Sequence, residues 1–252
     1  MTPQLSYTIW FSQRTGSTLL TTALAATGVA GQPEEWLETP EGEGLLAHYG
    51  AATPEALRQT LWARGTTSNG VFGAKVSFYE PHMTRVLALW RQLPNVPADA
   101  TRSEVWARVF PNGRHIYMTR RNKVRQAISW WRAIRSETWH APVGEGETAA
   151  GRVGDKDYDF AALRQLLDEA MLREAGIEAF FAEGGIVPLT LVYEDFARDY
   201  VGTLRRVLDY LGVALPAKMP APAFRKIADE VAETWVQRFR DTLQEGWIHR
   251  GW

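Results

Sequence analysis

The chain has 252 residues, of which 45% are hydrophobic and 23% charged, and its formal net charge is −1. These values predict a single globular domain over residues 1–252, large enough to bury a sizeable core. The net charge excludes a global field that would recruit nucleic acid or an anionic membrane, so any anion site must be local. The lack of cysteine excludes disulfides, thiol catalysis and cysteine-ligated metal. With neither a signal-peptide pattern nor an apolar run of bilayer length, we expect a cytoplasmic protein without an integral membrane segment.

The first informative stretch is a strand, a polar turn and a helix. Residues 7–11 are aromatic and β-branched, which is typical of a buried strand. Residues 12–18 are polar, and residues 19–27 then carry apolar side chains at helical spacing. Gly28 follows as a helix stop, because glycine tolerates the left-handed backbone that ends helices. This order of elements is the geometry that binds a phosphate group at a helix N-terminus.

The polar turn has the groups that an anion site needs. Arg14 offers a planar fork of donors, Ser17 and Thr18 offer hydroxyls, and Gly16 lets the backbone approach a ligand closely. The turn is not a Walker A loop, which requires a second glycine and a lysine, so ATP hydrolysis is disfavoured. A polar turn with a serine N-cap explains the same residues without a ligand, and both interpretations stay open on this stretch alone.

The rest of the chain alternates strands with helices, which predicts an α/β fold with three layers and a mostly parallel central sheet. The strands are expected at 7–11, 71–78, 115–119 and 186–193. The helices are expected at 19–27, 54–62, 81–92, 103–110, after Asn122, at 160–181, up to Leu211 and at 223–243. Residues 141–157 lack apolar periodicity and predict a long loop, either a surface insertion or a mobile lid over a substrate.

Charged residues outside the polar turn have both a structural and a functional interpretation. Glu34 and Glu35 suit the start of a short helix, yet they follow the first helix and can return to the face of the anion turn. Lys75 lies inside a predicted strand, so it needs either a partner or ligand, or an edge position. Arg120 and Arg121 lie at the C-terminal end of a predicted strand, where open α/β sheets bind ligands. Two adjacent arginines there are often solvated and paired with carboxylates, but beside a phosphate loop on a parallel neighbour they indicate a second anion pocket.

Three segments together resemble sulfotransferases that use 3′-phosphoadenosine 5′-phosphosulfate (PAPS), most closely the bacterial trehalose 2-sulfotransferase family. SQRTGSTLL at 12–20 is similar to that family's 5′-phosphosulfate loop, with Arg14 where the wider superfamily usually has lysine. TGVAGQPEEWL at 27–37 is similar to the segment with the proposed general base, which maps to Glu35. TRRNKVRQAISWWRA at 119–133 is similar to the 3′-phosphate site, where an arginine and a serine eight positions apart correspond to Arg121 and Ser129.

The resemblance implies a sulfotransferase on a P-loop-like fold that moves a sulfuryl group from PAPS to a hydroxyl, with a carbohydrate such as trehalose or a glycolipid as acceptor. It implies Glu35 and Arg14 as catalytic residues, no metal, and a homodimer. The residues it assigns to PAPS are Arg14, Thr15, Gly16, Ser17, Thr18, Arg121 and Ser129. Trp36, Lys75 and Trp131 are candidate acceptor-binding residues. A small-molecule kinase on a related fold and a non-catalytic nucleotide-binding protein remain the alternatives.

Overall fold

The fold is built on a parallel sheet that is shown by a computed structural model describing residues 2–94, 96–140, 153–224 and 230–247. The strands are β1 (Leu5–Phe11), β2 (Val71–Ser77), β3 (Gly113–Thr119) and β4 (Leu189–Val192). They run parallel in the order β2-β1-β3-β4, with β1 and β3 in the centre. All four strands therefore end at the same edge, where ligands bind in open parallel sheets.

Helices connect the strands and cover both faces of the sheet. In the described part of the chain they are α1 (Ser17–Ala26), α2 (Leu45–His48), α3 (Pro54–Gly65), α4 (Glu80–Trp90), α5 (Arg102–Val109), α6 (Lys123–Ser136), α7 (Phe160–Gly184), α8 (Tyr193–Arg198), α9 (Tyr200–Leu211) and α10 (Glu230–Gln244). A 3-10 turn spans Asp155–Asp157.

Strand β1 supplies the core on both faces because its side chains alternate. Tyr7, Ile9 and Phe11 pack with buried residues of α1 and α9. Trp10 points the other way, into a cluster with the apolar faces of α3, α4, α5 and α7. A third cluster joins α6, α7 and α10 around Trp235. The three-layer α/β architecture expected from the alternating pattern is thereby confirmed.

Several elements differ from the sequence-based prediction. Strand β4 begins later than expected, at Leu189, and it ends at Val192 because the chain turns directly into α8. The helix expected up to Leu211 is two helices, divided where the carboxylate of Asp199 accepts a hydrogen bond from the Gly202 amide. The loop expected over 141–157 lies outside the described residues as far as 152, and the described remainder forms the 3-10 turn.

The short helix expected at Glu34 and Glu35 is absent, and this prediction was wrong. Glu34 instead forms a parallel bridge with Ala74 of β2, and its carbonyl accepts a hydrogen bond of 2.9 Å from the Lys75 amide. The chain therefore extends along the outer edge of the sheet at this point. Two acidic residues after a proline resemble a helix N-terminus, but here the main-chain donors of the edge strand pair with this segment.

Candidate active site

The loop between β1 and α1 adopts a backbone that few residues tolerate. Arg14 has φ 66° and Gly16, the N-cap of α1, has φ 82°. A β-carbon at Gly16 would lie 2.8 Å from Cδ2 of Tyr193, so a side chain there would be strained and would also collide. The hydroxyl of Thr15 donates to the Ser12 carbonyl at 2.9 Å. The loop is therefore held in shape, with the amides of Ser17 and Thr18 at the start of α1, where an anion is favoured.

Arg14 directs its guanidinium toward α6. Its Nε donates to Oγ of Ser129 at 3.1 Å, and its Nη1 donates to the carbonyl of Trp139 at 2.5 Å. Burial and then the nearby charge of Arg120 lower the pKa of Arg14 to about 10, which leaves the side chain charged at neutral pH. A desolvated cation beside a second cation has a strong electrostatic requirement for an anion.

The second charged group at this edge is a lysine–glutamate pair. Lys75 is only 7% exposed, and its Nζ lies 2.7 Å from Oε1 of Glu35 and donates to Oγ1 of Thr18 at 3.0 Å. The sequence left two alternatives for Lys75, a partner or an edge position. Both occur together, because β2 is an edge strand and Lys75 is also buried and paired with Glu35. The Glu35 side chain keeps 38% of its surface exposed. A carboxylate that is partly open to solvent beside the anion loop can accept a proton from a bound hydroxyl.

The two adjacent arginines after β3 have different surroundings. Arg121 is 59% exposed and forms an ion pair with Asp195, with Nη2 to Oδ2 at 2.8 Å. Arg120 is mostly buried, stacks over the ring of Tyr193 at 4.8 Å, and donates to the Arg14 carbonyl at 3.5 Å. Glu194 lies 3.7 Å from Arg120 Nε, a nitrogen that is buried and has no hydrogen-bond partner in the described part of the chain. Both arginines were expected at the end of β3, and the family resemblance selected Arg121, whereas Arg120 is the one that lies against the loop.

A histidine that sequence reasoning did not select is also close to the loop. His140 follows Trp139, whose carbonyl contacts Arg14, and its ring packs 5.0 Å from the ring of Phe224. Burial lowers the pKa of His140, and the positive charges of Arg14 and Lys75 lower it further. A neutral imidazole at this position can offer both a donor and an acceptor to a ligand.

The tryptophans proposed for the acceptor are anchored by their indole nitrogens. Trp36 donates to the Gly73 carbonyl at 2.9 Å, and Trp131 donates to the Asp157 carbonyl at 2.8 Å. Trp36 packs against the cluster of α3, α4 and α5, and Trp131 packs against the cluster of α6, α7 and α10. Each ring is thus a fixed surface, with Trp36 directly after Glu35 in the chain.

The structure brings together Arg14, the loop from Thr15 to Thr18, Ser129, Lys75 and Glu35, and it leaves Arg121 at the surface. Arg14, Arg120 and Lys75 place positive charge beside the loop. Among the residues described, no group of three or more histidines and carboxylates is arranged to hold a metal ion. Within the same ranges, no helix has the length and apolar character needed to cross a membrane.

The chain is similar in sequence to two trehalose 2-sulfotransferases. The chain is 28% identical over 258 residues to trehalose 2-sulfotransferase of Mycobacterium tuberculosis, an alignment that covers 93% of this chain and 94% of that protein. It is likewise 28% identical over 263 residues to trehalose 2-sulfotransferase of Mycolicibacterium smegmatis, covering 95% and 96%.

Among solved structures, a sulfotransferase from Alicyclobacillus acidocaldarius has the same fold, with a TM-score of 0.50 and 14% identity over 97% of each chain. The family model for Stf0 sulphotransferase matches residues 6–242, which is nearly the whole chain. The chain therefore belongs to the Stf0 sulphotransferase family and is a sulfotransferase.

Proposed function

We propose that this enzyme transfers the sulfuryl group of PAPS to a hydroxyl of a carbohydrate, with trehalose as the first acceptor to test. The observation that supports this proposal best is the proximity of a desolvated arginine to a lysine–glutamate pair. Thr18 follows Arg14 in the same loop, and it accepts a hydrogen bond from Lys75, the partner of Glu35. An anion-binding group and a proton acceptor thus occupy neighbouring positions, as transfer to an alcohol requires.

The loop would bind the 5′-phosphosulfate end of the donor. The departing nucleotide phosphate gains negative charge on its bridging oxygen, and Arg14 with the amides from Thr15 to Thr18 would stabilise that charge. Gly16 keeps the loop close enough for its main chain to contact the phosphate. The buried side chain of Lys75 would add a second positive charge near the sulfuryl group.

The 3′-phosphate would be held by Ser129 and Arg121. Ser129 contacts Arg14, so this hydroxyl would lie between the 5′-phosphosulfate end and the 3′-phosphate of the bound nucleotide. Arg121 is exposed and paired with Asp195, and its guanidinium would exchange that carboxylate for the phosphate. A 3′-phosphate site would distinguish PAPS from ATP, whose ribose lacks that group.

Glu35 would act as the general base toward the acceptor hydroxyl. Its carboxylate is accessible, and its ion pair with Lys75 keeps it near Thr18 and hence near the loop. A carbohydrate acceptor is supported by the two relatives whose names specify trehalose. Trp36 and Trp131 stay candidate acceptor-binding residues, because aromatic faces pack on the C–H surfaces of sugars, and a homodimer also stays a prediction.

The direct test is to incubate the purified protein with PAPS and trehalose and to detect a sulfated disaccharide by mass spectrometry. Thermal unfolding in the presence of adenosine 3′,5′-bisphosphate, ATP or AMP tests the donor independently, since a ligand that binds only the native state raises Tm. The proposal predicts a sulfated product and the largest Tm increase with the bisphosphate. A larger increase with ATP and magnesium would instead support a kinase, and tight bisphosphate binding without product from a wide acceptor panel would support a non-catalytic protein.

A further inference from the structure

A buried polar network lies directly behind the anion loop. Its centre is Glu174, in the middle of α7, which is 8% exposed. The Glu174 carboxylate accepts hydrogen bonds from Oγ of Ser12 at 3.1 Å and from Oγ1 of Thr119 at 3.1 Å. It also forms an ion pair with Lys123 at the start of α6. One carboxylate thus connects the carboxyl ends of the two central strands, because Ser12 follows β1 and Thr119 ends β3.

A second buried residue joins the same loop to α6. Gln126 is fully buried, and its Nε2 donates to Oγ of Ser12 at 2.7 Å and to the Gln13 carbonyl at 2.8 Å. Ser12 therefore accepts from Gln126 and donates to Glu174. The contacts run in one direction, from an amide through a hydroxyl to a carboxylate, which favours a single arrangement of the loop.

The residues of α6 that join this network recur every three positions. Gln126 contacts Ser12 and Gln13 of the loop, Ser129 contacts Arg14 of the loop, and Lys123 contacts Glu174 behind it. Such spacing places them along one side of the helix. Helix α6 starts two residues after Arg121, with Asn122 as its N-cap, so the side of the helix that contacts the loop also fixes the segment expected to hold the 3′-phosphate.

From this arrangement we infer that Glu174 and Gln126 are positioning residues that set the distance between the sites for the two phosphate ends of the donor. The inference rests on the proposed function, because it assumes one nucleotide that carries both groups. Neither side chain needs to touch that nucleotide. Their role is to keep both anion sites in one rigid body, so that binding of the first phosphate places the second at its site.

Such coupling has a measurable signature. A bisphosphate bound at two fixed sites gains affinity over either monophosphate, by roughly 10²- to 10⁴-fold where the spacing fits. When the spacing is loosened, this gain is lost while each separate site keeps its own affinity. A purely structural role would instead lower the fraction of folded protein, or would weaken all three ligands to the same degree.

The experiment compares adenosine 3′,5′-bisphosphate, AMP and adenosine 3′-monophosphate by isothermal titration calorimetry on the full chain. In Glu174→Gln, affinity for the bisphosphate is expected to fall by about ten- to a hundredfold. Affinities for the two monophosphates are expected to stay within about twofold, because the ligating groups are unchanged. If Glu174→Gln does not fold, the double variant Glu174→Gln/Lys123→Met removes both charges together and leaves neither buried unpaired.

The matched control is Glu183→Gln. Glu183 also lies on α7, and it accepts hydrogen bonds from the amide and Nε of Arg102, a residue at the start of α5 rather than in the loop. This variant is expected to keep the full bisphosphate gain. Two results in the Glu174 variants would overturn this inference without affecting the proposed function. One is an equal loss of affinity for all three ligands, and the other is an unchanged preference for the bisphosphate over the monophosphates. A wild-type protein that binds the bisphosphate no better than the monophosphates would overturn the proposed donor, and the inference with it.

Discussion

The two arginines assigned to the donor lie in contrasting environments. Arg14 is desolvated, has a left-handed backbone, and donates to Ser129 and to the Trp139 carbonyl. Arg121 is 59% exposed and pairs with the surface carboxylate of Asp195. In the proposed function the first arginine contacts the end of the donor that reacts, and the second contacts the end that only binds.

The contrast suggests that the site for the reacting end of the donor is held in place before binding, whereas the site for the 3′-phosphate rearranges on binding. The energy that desolvates Arg14 and strains its backbone is supplied by folding, so no reorganisation is needed when the reaction occurs. Arg121 must exchange a carboxylate for a phosphate, which makes its contribution a difference between two ion pairs. We therefore expect substitutions near Arg14 to have larger effects than substitutions near Arg121, and the predictions below test that order.

The largest effect is expected at the reacting end, for Glu35→Gln. The amide has nearly the same shape but cannot take a proton from the acceptor hydroxyl, so turnover should fall by about 10²- to 10⁴-fold. Binding of adenosine 3′,5′-bisphosphate should be unchanged, because the carboxylate is assigned to the acceptor. Initial rates of sulfated-product formation and calorimetry of the nucleotide give the two readouts.

Glu34→Gln is the matched control for this variant. Glu34 precedes Glu35 and has the same side chain, but it is exposed, and its structural contact with β2 is through the main chain. Its turnover should stay near that of the wild type. Near-normal turnover in Glu35→Gln would remove Glu35 from the role of base, and equal losses in both variants would point to a general effect of charge.

The next effect concerns the loop itself, in Gly16→Ala. A residue other than glycine at φ 82° costs about 1–2 kcal/mol. The new β-carbon would also meet Tyr193 at 2.8 Å, so either the loop or that ring must move. We expect a lower Tm and a loss of bisphosphate affinity of about a hundredfold or more, since small displacements of positioning groups are costly.

Gly28→Ala separates the two causes. Gly28 has a similar φ of 71°, but a β-carbon there would have no atom within 4 Å. Its free energy of unfolding should fall by the same backbone cost alone, about 1–2 kcal/mol, with bisphosphate affinity retained. If the two alanine variants lost the same affinity, the packing of Tyr193 on the loop would have no part in binding.

Much of this arrangement follows from local sequence patterns. The α/β fold predicted from the order of strands and helices is confirmed. It could be predicted because the spacing of apolar residues, every 2 residues in strands and every 3.6 in helices, depends only on residues that are near in sequence. The family resemblance is confirmed by the match over residues 6–242, and the loop motif lies where the sequence placed it, after β1. The cap at Asn122 was also confirmed, since its side chain accepts from the Arg125 amide.

What the sequence did not predict depends on contacts between distant segments. The extended path at Glu34 arises because an edge strand has free main-chain groups, which local composition does not reveal. The difference between Arg120 and Arg121 is set by Tyr193, Glu194 and Asp195, more than seventy residues later in the chain. Glu174 had no sequence signal because it occupies one position of a long amphipathic helix, where a single carboxylate is normally solvated.

A smaller effect is expected at the binding end, for Arg121→Ala. Loss of a charge-assisted hydrogen bond to the 3′-phosphate should weaken adenosine 3′,5′-bisphosphate by about ten- to a hundredfold. AMP lacks that phosphate and should bind as it does to the wild type. Arg198→Ala is the control, because Arg198 is 78% exposed and lies 3.8 Å from the same carboxylate of Asp195. Equal losses for the two nucleotides, or equal losses in the two variants, would move the 3′-phosphate site elsewhere.

The smallest effect is expected for Asp195→Asn, and it has the opposite sign. Exposed ion pairs contribute about 0.2–1 kcal/mol, so releasing Arg121 from this carboxylate should strengthen bisphosphate binding by about two- to fivefold. AMP affinity should not change if the gain comes from Arg121, whereas a general rise in positive potential would strengthen both nucleotides. The double variant with Arg121→Ala distinguishes the two further, because a gain transmitted through Arg121 must vanish when that side chain is absent. A gain that persists in the double variant would mean that Asp195 repels the nucleotide directly. It would then not support the proposal that Arg121 releases Asp195 in order to bind the 3′-phosphate.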